Sequence, residues 1–189
     1  MNIVLYGQVD KKPLVLALIK LLQDFGTVVF VTPEYHYRRL IDGADNGYFQ
    51  NTLVCSSTQS PEEIFQELEI SPTVFDFVIW DSYEFLPSDI DMAIVCTGML
   101  DEFIDEPFLD AYPNAIQVKF NYDNKLDKEM YNLKITPQLI QFGEMAESLK
   151  ILPPIKDKYI IKLFQDCFAE MLDVNPKNIP KLLAKDWHE

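Results

Sequence analysis

Two short apolar runs, Ile3-Val4-Leu5-Tyr6 and Val28-Val29-Phe30-Val31, flank a segment whose apolar residues Leu14, Leu16, Ala17, Leu18, Leu21 and Leu22 recur at helical spacing. A strand that is apolar at every position, rather than at alternate ones, needs cover on both faces, and that is the mark of a parallel sheet with helices above and below. The pattern recurs along the chain. Thr52 to Ser56, Phe75 to Trp80, Asp91 to Thr97 and Ala115 to Phe120 read as further strands, and Ile135 to Gln141 as a last, shorter one. Between them, Ser60-Pro61-Glu62-Glu63 opens a helix with a Ser cap, Pro at the first helical position and Glu three residues after the cap. The first helix, Pro13 to Phe25, is expected to end on Gly26 as a C-cap; Tyr35 to Ile41 reads as a short helix, and Gly43 to Gly47 as a loop. Gly143 to Leu149, Lys156 to Leu172 and part of Pro176 to Glu189 complete the helices.

Strands alternating with amphipathic helices imply right-handed βαβ units. The expected fold class is therefore α/β, a three-layer αβα sandwich with a mostly parallel, doubly wound central sheet. No Gly/Ser linker or repeat divides the 189 residues, so 1–189 is expected to form one domain. In such sheets ligands gather at the carboxyl ends of the strands. That rim would carry Gly7 to Lys12, Thr32 to Glu34, Asp81 to Glu84 and Gly98 to Leu100.

The longest apolar runs are strand-sized, which excludes a membrane span, and nothing at the N-terminus resembles a signal peptide. Cys55, Cys96 and Cys167 are odd in number and widely spaced; Cys55 and Cys96 fall in apolar runs and read as buried thiols. With His36 and His188 too few and too distant to complete a metal site, no metal is expected, and reduced cysteines point to the cytoplasm.

Charge is unevenly spread. Residues 1–40 hold five basic and three acidic side chains, residues 41–118 sixteen acidic and no basic ones, and residues 119–189 eleven of each, for a net −14. A stretch without a cation cannot neutralise phosphates, so direct nucleic-acid binding through it is excluded. It is either a solvated acidic surface or an acidic docking face for a basic partner. Asp101, Glu102, Asp105 and Glu106, interleaved with Phe103 and Phe108, suit a partner-binding surface whose aromatics are exposed better than a reaction centre. No catalytic residue is assigned: the chain has no nucleophile elbow, no HExxH and no Cys/His pair with an orienting partner.

The order strand, Gly-containing turn, helix and second strand, together with Phe75-Asp76-Phe77-Val78-Ile79-Trp80-Asp81-Ser82 and Asp89 to Val95, resembles the ParA/MinD family of P-loop ATPases. Leu149 to Pro154 is similar to the Pro-containing segment that precedes that family's C-terminal helix. The resemblance implies a phosphate loop on Tyr6-Gly7-Gln8-Val9-Asp10-Lys11-Lys12. Gly7, Val9 and Lys11 match, while Tyr6 stands for the signature lysine, Gln8 and Asp10 for glycines and Lys12 for the Mg²⁺-binding threonine. Thr32 and Glu34 replace the acidic pair after the second strand, and Asp81 retains the Walker B carboxylate. Such loops work because glycines let backbone N–H groups curl around phosphates. A carboxylate placed roughly 4 Å from a phosphate costs about 4 kcal/mol at an effective dielectric near 20.

Gly7, Lys11, Lys12 and Asp81 are therefore the candidate nucleotide- or anion-binding residues. For Asp81 the alternative is a turn cap, and for the lysines solvated positions at a helix start. The resemblance implies a non-catalytic adaptor or regulator of an assembly, secretion or partition system, with no cofactor, binding a basic protein or an active ATPase relative, or forming a homodimer. The alternatives are a divergent nucleotide enzyme using Lys11, Lys12 and Asp81, and an acidic nucleic-acid-mimicking or host-factor-binding protein of a mobile element.

Overall fold

A computed structural model describes residues 1–81, 89–98, 106–122 and 126–186. Its strands are β1 (Asn2–Tyr6), β2 (Val28–Thr32), β3 (Asn46–Phe49), β4 (Thr52–Ser56), β5 (Phe77–Asp81), β6 (Met92–Thr97), β7 (Ile116–Asn121) and β8 (Tyr131–Lys134). The helices are α1 (Lys12–Leu22), α2 (Pro61–Glu67), α3 (Glu106–Ala111), α4 (Pro137–Leu149), α5 (Lys158–Cys167) and α6 (Ile179–Leu183), and short 3-10 helices cover Tyr35–Ile41, Pro72–Val74 and Pro176–Asn178. The eight strands form one sheet in the order β3-β4-β2-β5-β1-β6-β7-β8, parallel throughout except where β3 runs antiparallel to β4. This is the three-layer α/β sandwich expected from the strand pattern.

Side chains alternate across each strand, and the core divides accordingly. Ile3, Leu5, Phe30, Ile79 and Ile94 face a cluster built with α1, α4, α5 and α6, whereas Val4, Val29, Val31, Val78, Trp80 and Val95 face a second cluster with Ile64, Phe65 and Phe108 of α2 and α3. Ten of the eleven residues of α1 are buried, so this helix is covered on its outer side as well, by α4 and α6. Each fully buried Leu there contributes about 1.5–3 kcal/mol through its apolar area.

Local chemistry sets the element ends. The Ser60 hydroxyl accepts from the Glu63 N–H while Glu63 accepts from the Ser60 N–H, completing the capping box that starts α2. Gly26 does not adopt the left-handed conformation of a C-cap glycine. A Cβ at this position would lie 2.4 Å from an Asp76 carboxylate oxygen, which accepts from the Thr27 N–H (2.8 Å) and hydroxyl (3.0 Å). The glycine therefore makes room for the one acid in an otherwise apolar strand entry.

Two elements differ from expectation. The region read as a loop after Gly43 contributes edge strand β3. The segment Ile135 to Gln141 is no strand: Thr136 caps Leu139 N–H and Pro137 begins α4, while β8 lies just before it. Among the described residues no helix is long and apolar enough to cross a membrane.

Candidate functional site

The chain leaves β1 at Gly7, whose φ of +137° and close approach to β6 exclude any side chain: a Cβ would sit 2.0 Å from the Cys96 carbonyl oxygen. The following turn runs over the carboxyl ends of β1, β2, β5 and β6 and delivers Lys11 as the residue that caps α1. Lys11 is not a solvated cation there. Its Nζ donates to the Gly7 carbonyl at 2.7 Å and lies 3.2 Å from Asp81 Oδ1 at the end of β5. Asp81 is fully buried, and its other oxygen accepts from the Thr32 hydroxyl at 2.8 Å; that hydroxyl in turn accepts from the Glu34 N–H. Burial pushes the Asp81 carboxyl above the usual carboxylate range, opposed by the Lys11 ammonium and the Thr32 hydrogen bond.

Lys12 points elsewhere. Its Nζ lies 2.5 Å from Glu147 Oε1 on α4, and Arg39 approaches the other oxygen, Oε2, at 3.7 Å. The Lys12 backbone N–H is capped by Asp10 Oδ1 at 3.1 Å, and Pro13 brings no N–H to the first turn. Tyr6 stacks on Phe108 with ring centres 4.5 Å apart and planes within 3°, and Phe108 also meets Tyr112 at 4.7 Å.

A cavity of about 550 Å³ at this rim is bounded by Tyr6 to Lys12, Glu34, His36, Tyr37 and Asp81. Tyr37 comes from the 3-10 helix after β2 and packs edge-on against Phe30. It is 1% exposed, and burial holds its hydroxyl well above the usual tyrosine range, with Asp81 and Asp10 adding to the effect. Burial lowers the His36 imidazole, and the Lys12 charge lowers it further. Neither His36 Nδ1 nor the Tyr37 hydroxyl has a hydrogen-bond partner among the described residues.

The structure thus brings Gly7, Lys11 and Asp81 together and sends the Lys12 side chain to α4. Asp101, Glu102, Phe103 and Asp105 lie outside the described residues, and Glu106 opens α3. Phe108 is not an exposed aromatic: at 9% exposure it belongs to the core beneath α3, because Tyr6 and Tyr112 close over its ring. Cys55 and Cys96 are buried, and burial pushes the Cys55 thiol up to about 12. No group of three His, Cys, Asp or Glu suited to a metal occurs among the described residues. Sequence reasoning missed His36 and Tyr37. Their signal was weak, since Tyr35 to Ile41 reads as a short amphipathic helix whose position over the rim depends on packing far away in the chain.

No family model matches the chain, and no curated protein matches it by sequence. Among solved structures it is similar to the MinD cell division protein of Aquifex aeolicus, with a TM-score of 0.54 and 11% identity over 98% of each chain. At that identity the likeness concerns architecture alone, and what it establishes is that this chain has a MinD-like fold.

Proposed function

We propose that this protein is a non-catalytic adaptor or regulator that keeps a MinD-like scaffold, over residues 1–189 as a single unit, for binding other proteins. The observation that carries this reading is the state of the rim: the groups a phosphate would need are already committed. Lys11 is held by Gly7 and Asp81, Lys12 by Glu147, and the Lys12 N–H by Asp10. A phosphate cradle relies on unengaged backbone N–H groups at a helix start. Asp10 and Glu34 add negative charge to the same cavity. The residues present do not fit a Mg²⁺-nucleoside triphosphate, and on this reading the loop is a degenerate Walker A motif.

The partner is a protein. Glu62, Glu63, Glu67 and Glu69 are all exposed around α2, within the stretch that has no cation, and they favour a basic partner through long-range attraction. An active ATPase relative or a second copy of the chain are the other partners compatible with the scaffold. Purified protein is expected to release no phosphate from ATP·Mg²⁺ above background; turnover abolished by Asp81→Ala would overturn the proposal.

One observation favours a second reading, a divergent nucleotide-binding or hydrolysing enzyme. Lys11 and Asp81, a cation and a carboxylate, border a single cavity large enough for a small ligand. That reading requires Lys11→Ala and Asp81→Ala each to remove turnover.

A further inference from the structure

A second cavity, of about 580 Å³, opens where β8 ends, α4 begins and the chain enters α5. Part of its wall is apolar: Leu139, Phe142 and Ile155 are buried core residues that border it, together with Pro154 and Tyr159. The segment entering α5 is fixed in place. The Lys20 ammonium donates to the Leu152 carbonyl at 2.7 Å, and the Ile155 N–H donates to the Leu183 carbonyl at 2.8 Å. Cavities of roughly 300–1,000 Å³ are the size that encloses small ligands.

The charge around this cavity runs against that of the chain. Acids outnumber bases thirty to sixteen overall, yet three of the four charged residues bordering the cavity are lysines, Lys134, Lys156 and Lys158. The fourth, Asp157, is already engaged, its Oδ1 accepting from the Tyr159 and Ile160 N–H groups at 3.0 and 2.9 Å. Elsewhere in the described residues seven cations lie within 3.7 Å of a carboxylate. Lys156 and Lys158, both exposed, meet no carboxylate among the described residues, and Lys158 Nζ rests 5.1 Å from the centre of the Tyr159 ring on the same wall.

Unmatched cations beside buried apolar side chains select a ligand that carries both characters. A cation would meet the lysines, and an inorganic anion would leave Leu139, Phe142 and Ile155 facing water. Apolar walls also focus the field of the lysines into the cleft. We propose that this cavity binds a small organic anion, its carboxylate held by Lys156 and Lys158 and its apolar body laid against Leu139, Phe142 and Ile155. The site lies three strands from β1 in the sheet and does not depend on what the rim binds.

Titration of the ¹⁵N-labelled full chain with 4-phenylbutanoate tests it. Saturable shifts of the Leu139, Ile155 and Tyr159 amides are expected. The neutral 4-phenylbutanamide should bind roughly three- to tenfold more weakly, as expected for exposed ion pairs. Acetate, which has the charge without the body, should bind at least about tenfold more weakly. The double variant Lys156→Gln/Lys158→Gln removes the two exposed cations without touching the apolar wall, and is expected to abolish the preference for the acid over the amide. Gln138→Glu is a second check. It adds a carboxylate beside the cavity in the first turn of α4, where a negative charge suits the helix, so the fold is kept while binding of the acid weakens and that of the amide does not. No saturable shifts, equal affinity for acid and amide, or an unchanged preference in either variant would overturn the proposal.

Discussion

Lys11 Nζ lies 3.2 Å from Asp81 Oδ1, joining the start of α1 to the end of β5 in a pair whose ammonium is 5% exposed and whose carboxylate is fully buried. In a protected pair each charge is the other's main compensation. Lys11→Met and Asp81→Asn are each expected to lower stability by roughly 3–5 kcal/mol, and the double variant to recover most of that loss. Urea denaturation of the four proteins gives the coupling directly. Without Lys11, burial and the Glu34 charge are opposed only by the Thr32 hydrogen bond, so the Asp81 carboxyl rises further. A carboxyl raised in the folded state binds its proton more tightly there than in the unfolded chain. The Lys11→Met variant is therefore expected to gain stability as pH falls from neutral toward the usual carboxylate range.

The turn after β1 tolerates only glycine. With φ at +137° and a carbonyl oxygen 2.0 Å from where a Cβ would stand, Gly7→Ala is expected to cost more than about 3 kcal/mol. Gly43 also has a positive φ, +81°, but open space around it, and Gly43→Ala should cost only about 1 kcal/mol. Comparable urea midpoints for the two variants would contradict the geometry of the β1 exit.

Hydrogen bonds from Thr27 hold the Asp76 carboxyl below its usual range, and those from Ser60 do the same for Glu63. For a depressed carboxyl, stability is present above the unfolded value and is lost as pH falls through the folded one. Asp76→Asn should remove part of the acid-side decline, seen as a shallower slope of unfolding free energy against pH below the usual carboxylate range. An unchanged slope would show that Asp76 is equally solvated in both states.

Lys20 ties the C-terminal segment to α1. Its Nζ donates to the Leu152 and Lys185 carbonyls at 2.7 and 2.8 Å, and burial lowers the ammonium. Lys20→Met leaves both carbonyls without this donor, an expected loss of roughly 1–3 kcal/mol. Hydrogen exchange should quicken across residues 179–185 ahead of β1 and β2, since the two Lys20 hydrogen bonds fasten this segment while the central strands keep their ladders. Uniform acceleration through the whole chain would argue against a local tie.

The strands that form the middle of the sheet were legible because burial on both faces leaves Ile3 to Tyr6 and Val28 to Val31 apolar throughout. The edges were not. β3 is Asn46-Gly47-Tyr48-Phe49, and Tyr48 is 67% exposed, so its sequence carries the polarity of a loop. β8 pairs on one side only, and its short polar-apolar alternation is overshadowed by the apolar residues of α4 that follow. Thr136-Pro137, a cap followed by a first-turn proline, was the signal that should have outweighed Ile135 and Ile140. At the rim, Lys11 and Asp81 were found by position in a motif. Their mutual pairing, the turn of Lys12 toward Glu147 and the burial of Phe108 under Tyr6 depend on contacts between residues distant in sequence, which no local pattern encodes.

If the committed groups around Lys11 and Asp81 leave no seat for a triphosphate, ATP·Mg²⁺ does not stabilise the folded chain. The most direct measurement is the melting temperature of the purified full chain with and without millimolar ATP·Mg²⁺. The expected change is below about 1 °C, because a ligand that does not bind the folded state does not stabilise it. A reproducible, concentration-dependent rise of several degrees would contradict the claim.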